Sequence, residues 1–468
     1  MPSEIVTVDP ATGKTLERFQ YMSPDEIDAR LDAGVSAYRL WRGKSFDDRA
    51  QLLRALAGGL RTRQQTLAEA AVREMGKPIA QALAEVEKCA WCCEYFAEHS
   101  AALLTTRPIE SNATHSAVAF RPLGLIFAIM PWNFPYWQVF RAAAPALMAG
   151  NAVVLKHADS TTRCALEIGR VFTEAGAPDG LFSTLLMQNE TADERISDER
   201  IAAVTLTGSE RAGVAVASAA GAALKKCVLE LGGSDPFIVL GDADLNAAVA
   251  FAIRARFQNN GQSCIAAKRF IIEDGAYEAF VRAFAEAAAA QRVGDPMDPQ
   301  TQLGPCARGD LRDALRRQIN ETAERGARIV TGGKPIEREG FFFEPTIVAD
   351  VAKGMRMFDE ETFGPAAAVT RARDEAHAIE LANDSTFGLG ANIWTRDVDR
   401  AQRMAGEIES GMVFVNGMVA SDPRLPFGGV KRSGYGRELS EFGIHEFVNI
   451  QTVWVGPERP AGAANPAE

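Results

Sequence analysis

The chain has 468 residues, of which 47% are hydrophobic and 24% are charged, as expected for a soluble globular protein of two or three domains. The formal net charge of −11 and the lack of a long basic run argue against a nucleic-acid partner. Residues 1–19 show no apolar signal core, and no apolar stretch is long enough to span a bilayer. We therefore expect a cytoplasmic protein with no membrane partner.

Seven cysteines in a chain of this length do not form a disulfide framework. Three of them, Cys89, Cys92 and Cys93, lie close together in a helical pattern. A structural metal site there would need further ligands, and His99 and His115 are scattered. We therefore expect free buried thiols and no metal ion.

The N-terminal part of the chain is predicted to be helical. Apolar residues recur at helical spacing between residues 24 and 103, with a break at Gly76-Lys77-Pro78. Strands and helices then alternate, with strands predicted at 117–120, 125–129, 151–156, 181–186, 201–206 and 227–231 and helices at 162–174 and 213–220. This alternation predicts a parallel sheet in a doubly wound α/β domain.

A second α/β pattern begins near Gly232 and continues to about Ser433. It contains predicted strands at 237–240 and 269–272 and predicted helices at 245–257, 277–290 and 311–326. A last strand is expected at 447–455, before a tail rich in Pro and Ala. The fold class predicted for the whole chain is therefore α/β, with more than one domain.

A polar turn at 258–264 lies between a predicted helix and a predicted strand, and it ends in Cys264. Such turns often carry catalytic residues, although most single cysteines are small buried apolar residues. A nucleophilic cysteine needs an oxyanion donor and a general base. Asn133, held between two prolines, could be the donor, and Glu230, at a strand end before two glycines, could be the base. Each also has an ordinary structural explanation in a turn or at a strand end.

A glycine-containing turn at 207–213 follows another predicted strand. Glycine at a strand-to-helix junction lets a phosphate approach backbone N–H groups at the helix N-terminus. The spacing Gly-x-x-x-x-Gly differs from the usual dinucleotide fingerprint, so an ordinary turn is the alternative.

Six motifs occur in an order that resembles the aldehyde dehydrogenase superfamily. They are Pro131-Trp132-Asn133-Phe134-Pro135, Thr207-Gly208-Ser209, Glu230-Leu231-Gly232-Gly233, Gly261-Gln262-Ser263-Cys264, Glu361-Thr362-Phe363-Gly364-Pro365 and Pro426-Phe427-Gly428-Gly429. Together they cover nearly the whole chain. Within the superfamily, residues 224–236 and 421–429 most resemble the shorter bacterial succinate-semialdehyde dehydrogenases.

This resemblance implies catalytic roles for four residues. Cys264 would attack the aldehyde as a thiolate, and Asn133 with the Cys264 backbone N–H would hold the oxyanion of the thiohemiacetal. Hydride transfer to a nicotinamide would leave a thioester, which water activated by Glu230 would hydrolyse. Glu438 matches a second glutamate that would relay the proton.

The resemblance also implies a site for NAD or NADP. Contacts to the cofactor are expected from Trp132, Lys156, Gly208, Ser209, Leu231, Glu361 and Phe363. Asp159 is the discriminating position, because a carboxylate accepts hydrogen bonds from a ribose 2′-hydroxyl and repels a 2′-phosphate. NADP-using relatives often carry a small neutral residue there, so we predict NAD over NADP. A helix cap is the alternative role for Asp159.

The substrate implied by the resemblance is a small aldehyde that carries a carboxylate. Arg141 matches an arginine that binds this carboxylate, for which a guanidinium is well suited, although a surface ion pair is the alternative. Ser421 and Phe427 are expected on the other side of the substrate tunnel. Gln258 stands where some of these enzymes have a second arginine, which predicts a looser clamp and a wider substrate range.

The implied fold has a Rossmann-type cofactor domain, an α/β catalytic domain and a small β oligomerisation arm. The expected ranges are 1–105 with 123–231 for the cofactor domain, 232–433 for the catalytic domain, 106–122 with 434–457 for the arm, and 458–468 for a flexible tail. Strand edges on the arm need partners, which predicts a homodimer or a homotetramer.

The predicted function is oxidation of succinate semialdehyde to succinate. One alternative is a broader aliphatic or other ω-carboxyl aldehyde dehydrogenase. CoA-acylating relatives are a further alternative, but Glu230 and Glu438 favour water as the acyl acceptor. An alternative of another class is an inactive NAD-binding structural protein, against which the presence of Cys264, Asn133 and Glu230 together argues.

Overall fold

The computed structural model describes residues 4–456. The chain starts with an antiparallel hairpin, β1 (Glu4–Val8) and β2 (Thr15–Gln20), followed by the helices α1 (Pro24–Trp41), α2 (Phe46–Thr62), α3 (Gln64–Met75) and α4 (Ile79–Leu103). Capping boxes at Ser23 and Ser45 begin α1 and α2. The helical region and its break before α4 confirm the prediction, whereas the hairpin was not predicted.

Strands and helices then alternate as the sequence predicts. These elements are β3 (Arg107–Pro108), β4 (His115–Pro122), β5 (Leu125–Met130), α5 (Trp137–Ala149), β6 (Ala152–His157), α6 (Thr162–Glu174), β7 (Phe182–Thr184), α7 (Ala192–Ser197), β8 (Ile201–Thr207), α8 (Glu210–Ala222) and β9 (Lys226–Glu230). Two single 3₁₀ turns, Asp159–Thr161 and Asn189–Thr191, precede α6 and α7.

The first sheet is parallel in the order β9-β8-β5-β6-β7. From β5 the chain proceeds to β6 and β7 on one side and then returns to β8 and β9 on the other side. The direction of winding therefore reverses between β5 and β8, and ligands of doubly wound sheets bind at the carboxyl ends of such strands.

A second α/β region follows. Its elements are β10 (Asp235–Val239), α9 (Leu245–Phe257), β11 (Ala267–Glu273), α10 (Asp274–Ala289), α11 (Gly309–Glu324), β12 (Arg328–Thr331), β13 (Thr346–Ala349), α12 (Arg356–Asp359), β14 (Ala366–Ala372), α13 (Glu375–Asn383), β15 (Phe387–Gly388), β16 (Gly390–Trp394), α14 (Val398–Ala405) and β17 (Met412–Val415).

The second sheet has the order β12-β13-β14-β11-β10-β16-β17 and is parallel except between β12 and β13. Its main core packs Phe237 of β10 and Phe270 of β11 against Phe280 and Phe284 of α10. A separate, larger core lies between the first sheet and helices α1 to α6. The two cores support two α/β regions, in agreement with the predicted fold class.

The last elements are β18 (Val430–Lys431), β19 (Gly434–Tyr435), α15 (Ser440–Glu446) and β20 (Val448–Val455). β20 pairs antiparallel with β4 along its whole length, and β3 pairs with the other edge of β4. At the start of the expected arm range 434–457, β19 pairs antiparallel with β9 in the first sheet. Hydrogen bonding to the free edge of β9 therefore holds residues 434 and 435 beside Glu230.

The seven cysteines are free, and Cys89, Cys92 and Cys93 are buried on α4. Across residues 4–456, no helix is both long enough and apolar enough to cross a membrane. The expected tail at 458–468 lies outside the described residues.

Candidate active site

A cavity of about 560 Å³ takes its lining from both α/β regions and includes Cys264. Helix α4 contributes Gln81, Ala84, Glu85 and Lys88, and helix α5 contributes Trp137, Gln138 and Arg141. The turn before Cys264 and the loop 418–427 form other walls. All four residues predicted to bind the substrate line this cavity with Cys264, and they are Arg141, Gln258, Ser421 and Phe427.

The turn that leads to Cys264 has an unusual backbone. A single 3₁₀ turn, Gln258–Gly261, contains Asn259 and Asn260 at φ 56° and 58°. Asparagine tolerates this left-handed region better than most residues because its short side chain can form local hydrogen bonds. The Asn260 amide donates to the carbonyls of Gly76 and Pro305 at 2.8 and 2.9 Å. The asparagines therefore anchor the cysteine turn to distant parts of the chain.

A buried lysine holds the other end of the turn. Lys268 Nζ donates to the carbonyls of Ser263 at 2.9 Å and of Cys264 at 2.7 Å, and it lies 3.4 Å from Glu361. Sequence analysis missed Lys268. A charged residue at the start of a buried strand is a usable signal, because such a charge requires internal partners.

The Cys264 side chain opens onto the cavity but is otherwise enclosed by protein. This burial raises the pKa of the thiol to about 12, and the positive charges of Arg141 and Lys268 act in the opposite direction. The thiol is therefore protonated at neutral pH, and its activation requires loss of a proton as the sulfur reacts.

Asn133 is buried beside the cysteine turn. The Asn133 side chain donates from Nδ2 to the backbone carbonyl of Gln262 at 3.0 Å. The backbone carbonyl of Asn133 accepts from Asn259 Nδ2 at 2.8 Å. The structure thus brings the predicted oxyanion donor to the predicted nucleophile, although the two lie far apart in sequence.

Two buried acids, Glu230 and Glu438, lie close together behind the cavity. Neither Glu230 oxygen has a hydrogen-bond partner among the described residues, and a Cβ at Gly428 would lie 2.7 Å from Glu230 Oε1. Burial raises the pKa of Glu230 well above its usual range, and the nearby Glu438 adds to this rise. Glu230 is not among the residues that line the cavity.

Arg141 connects these acids to the cavity. Its guanidinium forms an ion pair with Glu438, and Nη2 donates to Thr207 Oγ1 at 3.1 Å. The guanidinium carbon lies 4.3 Å from the ring centre of Phe427, and the side chain is 1% exposed. Burial raises the pKa of Glu438, and Arg141 opposes this rise. Arg141 is thus not in a surface ion pair; it already has an internal carboxylate partner.

Lys88 also lines the cavity, and sequence analysis missed it. Its Nζ donates to Ser421 Oγ at 2.7 Å and lies 4.4 Å from the ring centre of Trp137. Lys88 falls on one face of α4 with Gln81, Ala84 and Glu85, all of which line the cavity. The helical spacing was visible in the sequence, but the surface that this face meets was not.

A crevice is expected at the carboxyl ends of β5 and β8, because the winding of the first sheet reverses there. Gly208 follows β8, and Ser209 caps α8 by accepting from Ala212 N at 3.3 Å. A Cβ at Gly208 would meet only Leu206 at 3.5 Å and Ala212 at 3.8 Å, so packing does not require glycine there. Glycine at this position leaves room for a ligand to approach the backbone, which a dinucleotide phosphate would require.

Leu231, predicted to contact the cofactor, packs against α8. A Cβ at Gly213 would lie 2.5 Å from Leu231 Cδ1, so this glycine lets α8 approach the end of β9. Leu231 therefore helps to set the position of the helix N-terminus that follows Gly208.

Lys156 and Asp159 lie at the end of β6. Lys156 Nζ donates to the His157 carbonyl at 3.1 Å and lies 3.7 Å from Asp159. Tyr21 Oη donates to Asp159 Oδ2 at 2.8 Å, a contact that sequence analysis missed. The carboxylate and burial raise the pKa of Tyr21 above its usual value. α6 has no side-chain cap, so Asp159 does not act as its helix cap.

Glu361, Phe363 and Trp132 lie near the cysteine turn and the end of β9. Glu361 Oε1 accepts from Gly233 N at 3.0 Å. The Phe363 ring meets the Trp132 ring edge to face, with centres 5.7 Å apart. A Cβ at Gly232 would lie 2.6 Å from Glu361 Oε2, so this glycine makes room for the carboxylate. The residues around the crevice thus supply the glycine turn, cation and carboxylates that a nicotinamide dinucleotide needs.

A model of the aldehyde dehydrogenase family matches residues 2–453. The NAD(P)+ succinate semialdehyde dehydrogenase Sad of Escherichia coli (strain K12) is 52% identical over 449 residues, which cover 96% of this chain and 97% of that protein. The NADP+ succinate-semialdehyde dehydrogenase 1 of Mycobacterium bovis (strain BCG / Pasteur 1173P2) is 49% identical, with 96% and 99% covered.

The fold of the chain also matches a solved crystal structure. The succinic semialdehyde dehydrogenase from Streptococcus pyogenes, in complex with NADP+, superposes with a TM-score of 0.95 at 37% sequence identity. The match covers 97% of this chain and 100% of that one.

Proposed function

The chain belongs to the aldehyde dehydrogenase family, and we propose that it oxidises succinate semialdehyde to succinate with NAD or NADP as the hydride acceptor. The observation that supports this substrate is the charge of the cavity beside Cys264. Lys88, Arg141 and Arg254 line it, and its one carboxylate among the described residues, Glu85, is paired with buried Lys77. A positive cavity next to a nucleophile suits an aldehyde that bears a carboxylate.

In the proposed reaction, the Cys264 thiol gives its proton to water in the cavity and its sulfur forms a bond to the aldehyde carbon, while the C=O electron pair moves to the oxygen. Asn133 Nδ2 and the Cys264 backbone N–H donate to the oxyanion of the resulting thiohemiacetal. The bound nicotinamide supplies the acceptor for the hydride that leaves this carbon, and a thioester on Cys264 remains.

Hydrolysis of the thioester is assigned to Glu230. Its carboxylate must turn from Glu438 towards Cys264 and take a proton from the attacking water, which releases succinate and the thiol. A raised pKa strengthens Glu230 as a base once it is ionised. Glu438, paired with Arg141, is proposed to pass the proton onward.

The proposed cofactor site uses both sides of the crevice. Gly208 and Ser209 would approach the pyrophosphate, Lys156 and Asp159 the adenosine ribose, and Trp132, Leu231, Glu361 and Phe363 the nicotinamide half. We propose a preference for NAD, because Asp159 would repel a 2′-phosphate and Tyr21 keeps its carboxylate in place. Initial rates with NAD and NADP at equal concentrations test this preference, and faster turnover with NADP would reject it.

The domain organisation expected from the sequence is also proposed, with residues 434–435 moved to the cofactor domain. Ile450 and Trp454 of β20 are exposed, at 59% and 52%, which favours burial of this strand in a homodimer or homotetramer. A cytoplasmic location is proposed, since seven free cysteines suit a reducing compartment.

A substrate panel tests the proposed activity. Succinate semialdehyde and butanal have four carbons each, and only the first carries a carboxylate. We expect kcat/KM for succinate semialdehyde to exceed that for butanal by about 100-fold or more, as charge-assisted recognition of one carboxylate permits. Assays omit CoA, so that turnover also identifies water as the acyl acceptor. Similar values for the two aldehydes would favour a broad aliphatic enzyme, and no NADH or NADPH formation would favour an inactive NAD-binding protein.

A further inference from the structure

Lys88 presents an ammonium group to the cavity without a carboxylate partner. Its Nζ donates a hydrogen bond to Ser421 Oγ at 2.7 Å. The same Nζ lies over the face of the Trp137 ring, 4.4 Å from the ring centre. Within residues 4–456, Lys88 takes part in no ion pair, whereas buried Lys77 and Lys268 each have one. An ammonium has three donors, so at least one N–H of Lys88 is free for a ligand.

The acid that lines the cavity on the same face of α4 as Lys88 is already engaged, and Glu87, directly before Lys88, pairs with Arg61. Glu85, one helical turn earlier on α4, forms an ion pair with Lys77. It also accepts from the backbone N–H groups of Tyr136 at 2.8 Å and Trp137 at 3.0 Å, at the start of α5. Glu85 thus stabilises a helix N-terminus and does not neutralise Lys88.

The acid on the facing loop is engaged as well. Asp422 forms an ion pair with Arg424 at 2.6 Å. Burial without a direct counter-ion lowers the pKa of Lys88 to about 8, and the charge of Arg141 acts in the same direction. An anion that enters the cavity would relieve this unfavourable state.

Arg141 alone does not account for binding of a substrate carboxylate. Its guanidinium is occupied by Glu438 and Thr207, which leaves fewer donors for a ligand. Gln258, at the position of the second arginine in some related enzymes, carries no charge. Arg254 also lines the cavity, but it is exposed to solvent. Among the cations of the cavity that are shielded from solvent, Lys88 is therefore the one most available to a substrate carboxylate.

We propose that Lys88 binds the substrate carboxylate, with the Ser421 hydroxyl beside it and Arg141 as the second cation. Lys88 would then determine specificity for a carboxylated aldehyde from helix α4. This inference rests on the proposed function, because it requires a substrate with a carboxylate.

The test compares Lys88→Met with Lys88→Arg on two aldehydes. Methionine keeps the apolar stem and removes the charge. For Lys88→Met we expect KM for succinate semialdehyde to rise by about 10- to 100-fold, the range of a hydrogen bond to a charged group. Its kcat, and both constants for butanal, should change less than about threefold. Lys88→Arg should recover most of the affinity. An exposed lysine, Lys14, provides the matched control Lys14→Met, which should match the wild type.

The outcomes separate this inference from the proposed function. If the wild type does not prefer succinate semialdehyde to butanal, the proposed function fails. If the wild type has that preference and Lys88→Met affects both aldehydes equally, or neither, the role of Lys88 is rejected. Thermal unfolding midpoints show whether the variants are folded.

A measurement on the wild type covers the case in which Lys88→Met does not fold. The charged or titratable groups around Lys88 are Glu85, Cys89 and Cys92 on α4, Arg141 on α5, and Asp422 and Arg424 on the facing loop. Burial raises the pKa of both thiols, and Arg424 lowers the pKa of Asp422, which leaves Lys88 as the group with a pKa near 8.

Lys88 is charged below this pKa and loses its charge above it. The ratio of kcat/KM for succinate semialdehyde to that for butanal should therefore fall by about tenfold as the pH rises through about 8. Groups that act equally on both aldehydes, such as Cys264, change the two kcat/KM values by the same factor, so their titration cancels in the ratio. A ratio that does not change with pH would reject the role of Lys88.

Discussion

The substrate cavity and the cofactor crevice differ in whether their lysine side chains have carboxylate partners. In the cavity, Lys88 has no carboxylate partner within the described part of the chain. Arg141 forms an ion pair with the buried Glu438. In the crevice, Lys156 lies 3.7 Å from Asp159. An unpaired cation favours an anionic ligand group, whereas a cation paired with an acid favours a neutral hydroxyl. The difference therefore suits a carboxylate at one end and a ribose hydroxyl at the other.

The buried acids Glu230 and Glu438 also differ from each other in whether they have a charged partner. Glu438 has a cation partner in Arg141, whereas neither Glu230 oxygen has a partner among residues 4–456. No polar contact among the described residues therefore holds the Glu230 carboxyl group, whereas Arg141 holds Glu438. Substitutions at these acids, and then in the crevice, test how these differences in charge pairing affect turnover, stability and cofactor preference.

The largest effect is expected from Glu230→Gln. Glutamine has a similar shape but cannot accept a proton, so steady-state turnover should fall by about 10²- to 10⁴-fold, the usual contribution of a general base. Acylation of Cys264 does not use this base, so a burst of about one NADH per active site should remain in stopped-flow measurements. The exposed control Glu339→Gln should match the wild type. Loss of the burst together with turnover would contradict this role.

Glu438→Gln should lower stability in addition to interrupting the proposed proton relay. It leaves Arg141 buried without a counter-ion, and breaking such a pair lowers the free energy of unfolding by about 3 to 5 kcal/mol. Urea unfolding measures the change.

The matched control for that substitution is Glu174→Gln, which removes a half-exposed acid paired with Arg63. Exposed pairs contribute at most about 1 kcal/mol, so the control should change little. Equal effects of Glu438→Gln and Glu174→Gln would show that Arg141 does not depend on its internal partner.

A smaller effect is expected in the crevice from Asp159→Ser. Removing the carboxylate leaves Lys156 unpaired, as Lys88 is in the cavity, and so favours a 2′-phosphate. The ratio of kcat/KM with NADP to that with NAD should rise by about tenfold, equivalent to about 1.4 kcal/mol. An unchanged ratio would remove Asp159 from cofactor selection.

Tyr21→Phe should give the smallest effect. It keeps the Asp159 charge but removes the hydrogen bond that holds the carboxylate at 2.8 Å. KM for NAD should rise by about two- to fivefold, because the carboxylate keeps its charge and loses only one hydrogen bond that orients it. Tyr38→Phe is a suitable control, since Tyr38 donates only a weak bond to the Pro122 carbonyl at 3.3 Å, far from Asp159 in sequence. A shift as large as that of Asp159→Ser would mean that Tyr21 itself contacts the cofactor.

Much of the fold was predictable because it is encoded in short periodic segments. The helices from 24 to 103 and the strands β5, β6, β8 and β9 have local hydrophobic patterns that specify them. The hairpin β1–β2 was missed, and so was the pairing of β19 with β9. β19 has two residues, so its sequence contains no period, and only its neighbour makes it a strand.

Some residues of the candidate site were predictable from local sequence motifs, and others were not. Cys264, Asn133 and Glu230 stand in distinctive local motifs, and the structure brings Asn133 against the cysteine turn as predicted. Lys88 and Lys268 stand in no motif, and each is distinguished only by what surrounds it. Burial and neighbouring charges, which are not local properties, determine how such groups behave.

The sequence by itself determined the fold class, the family and the reactive groups, because side-chain chemistry and local backbone preferences are carried by adjacent residues. The tertiary structure alone decided which charges have partners. Arg141 meets Glu438, Asp159 meets Tyr21, and Lys88 meets Ser421 without an acid. Electrostatic pairing acts over a few ångströms in space, and the chain brings these residues together only when it folds.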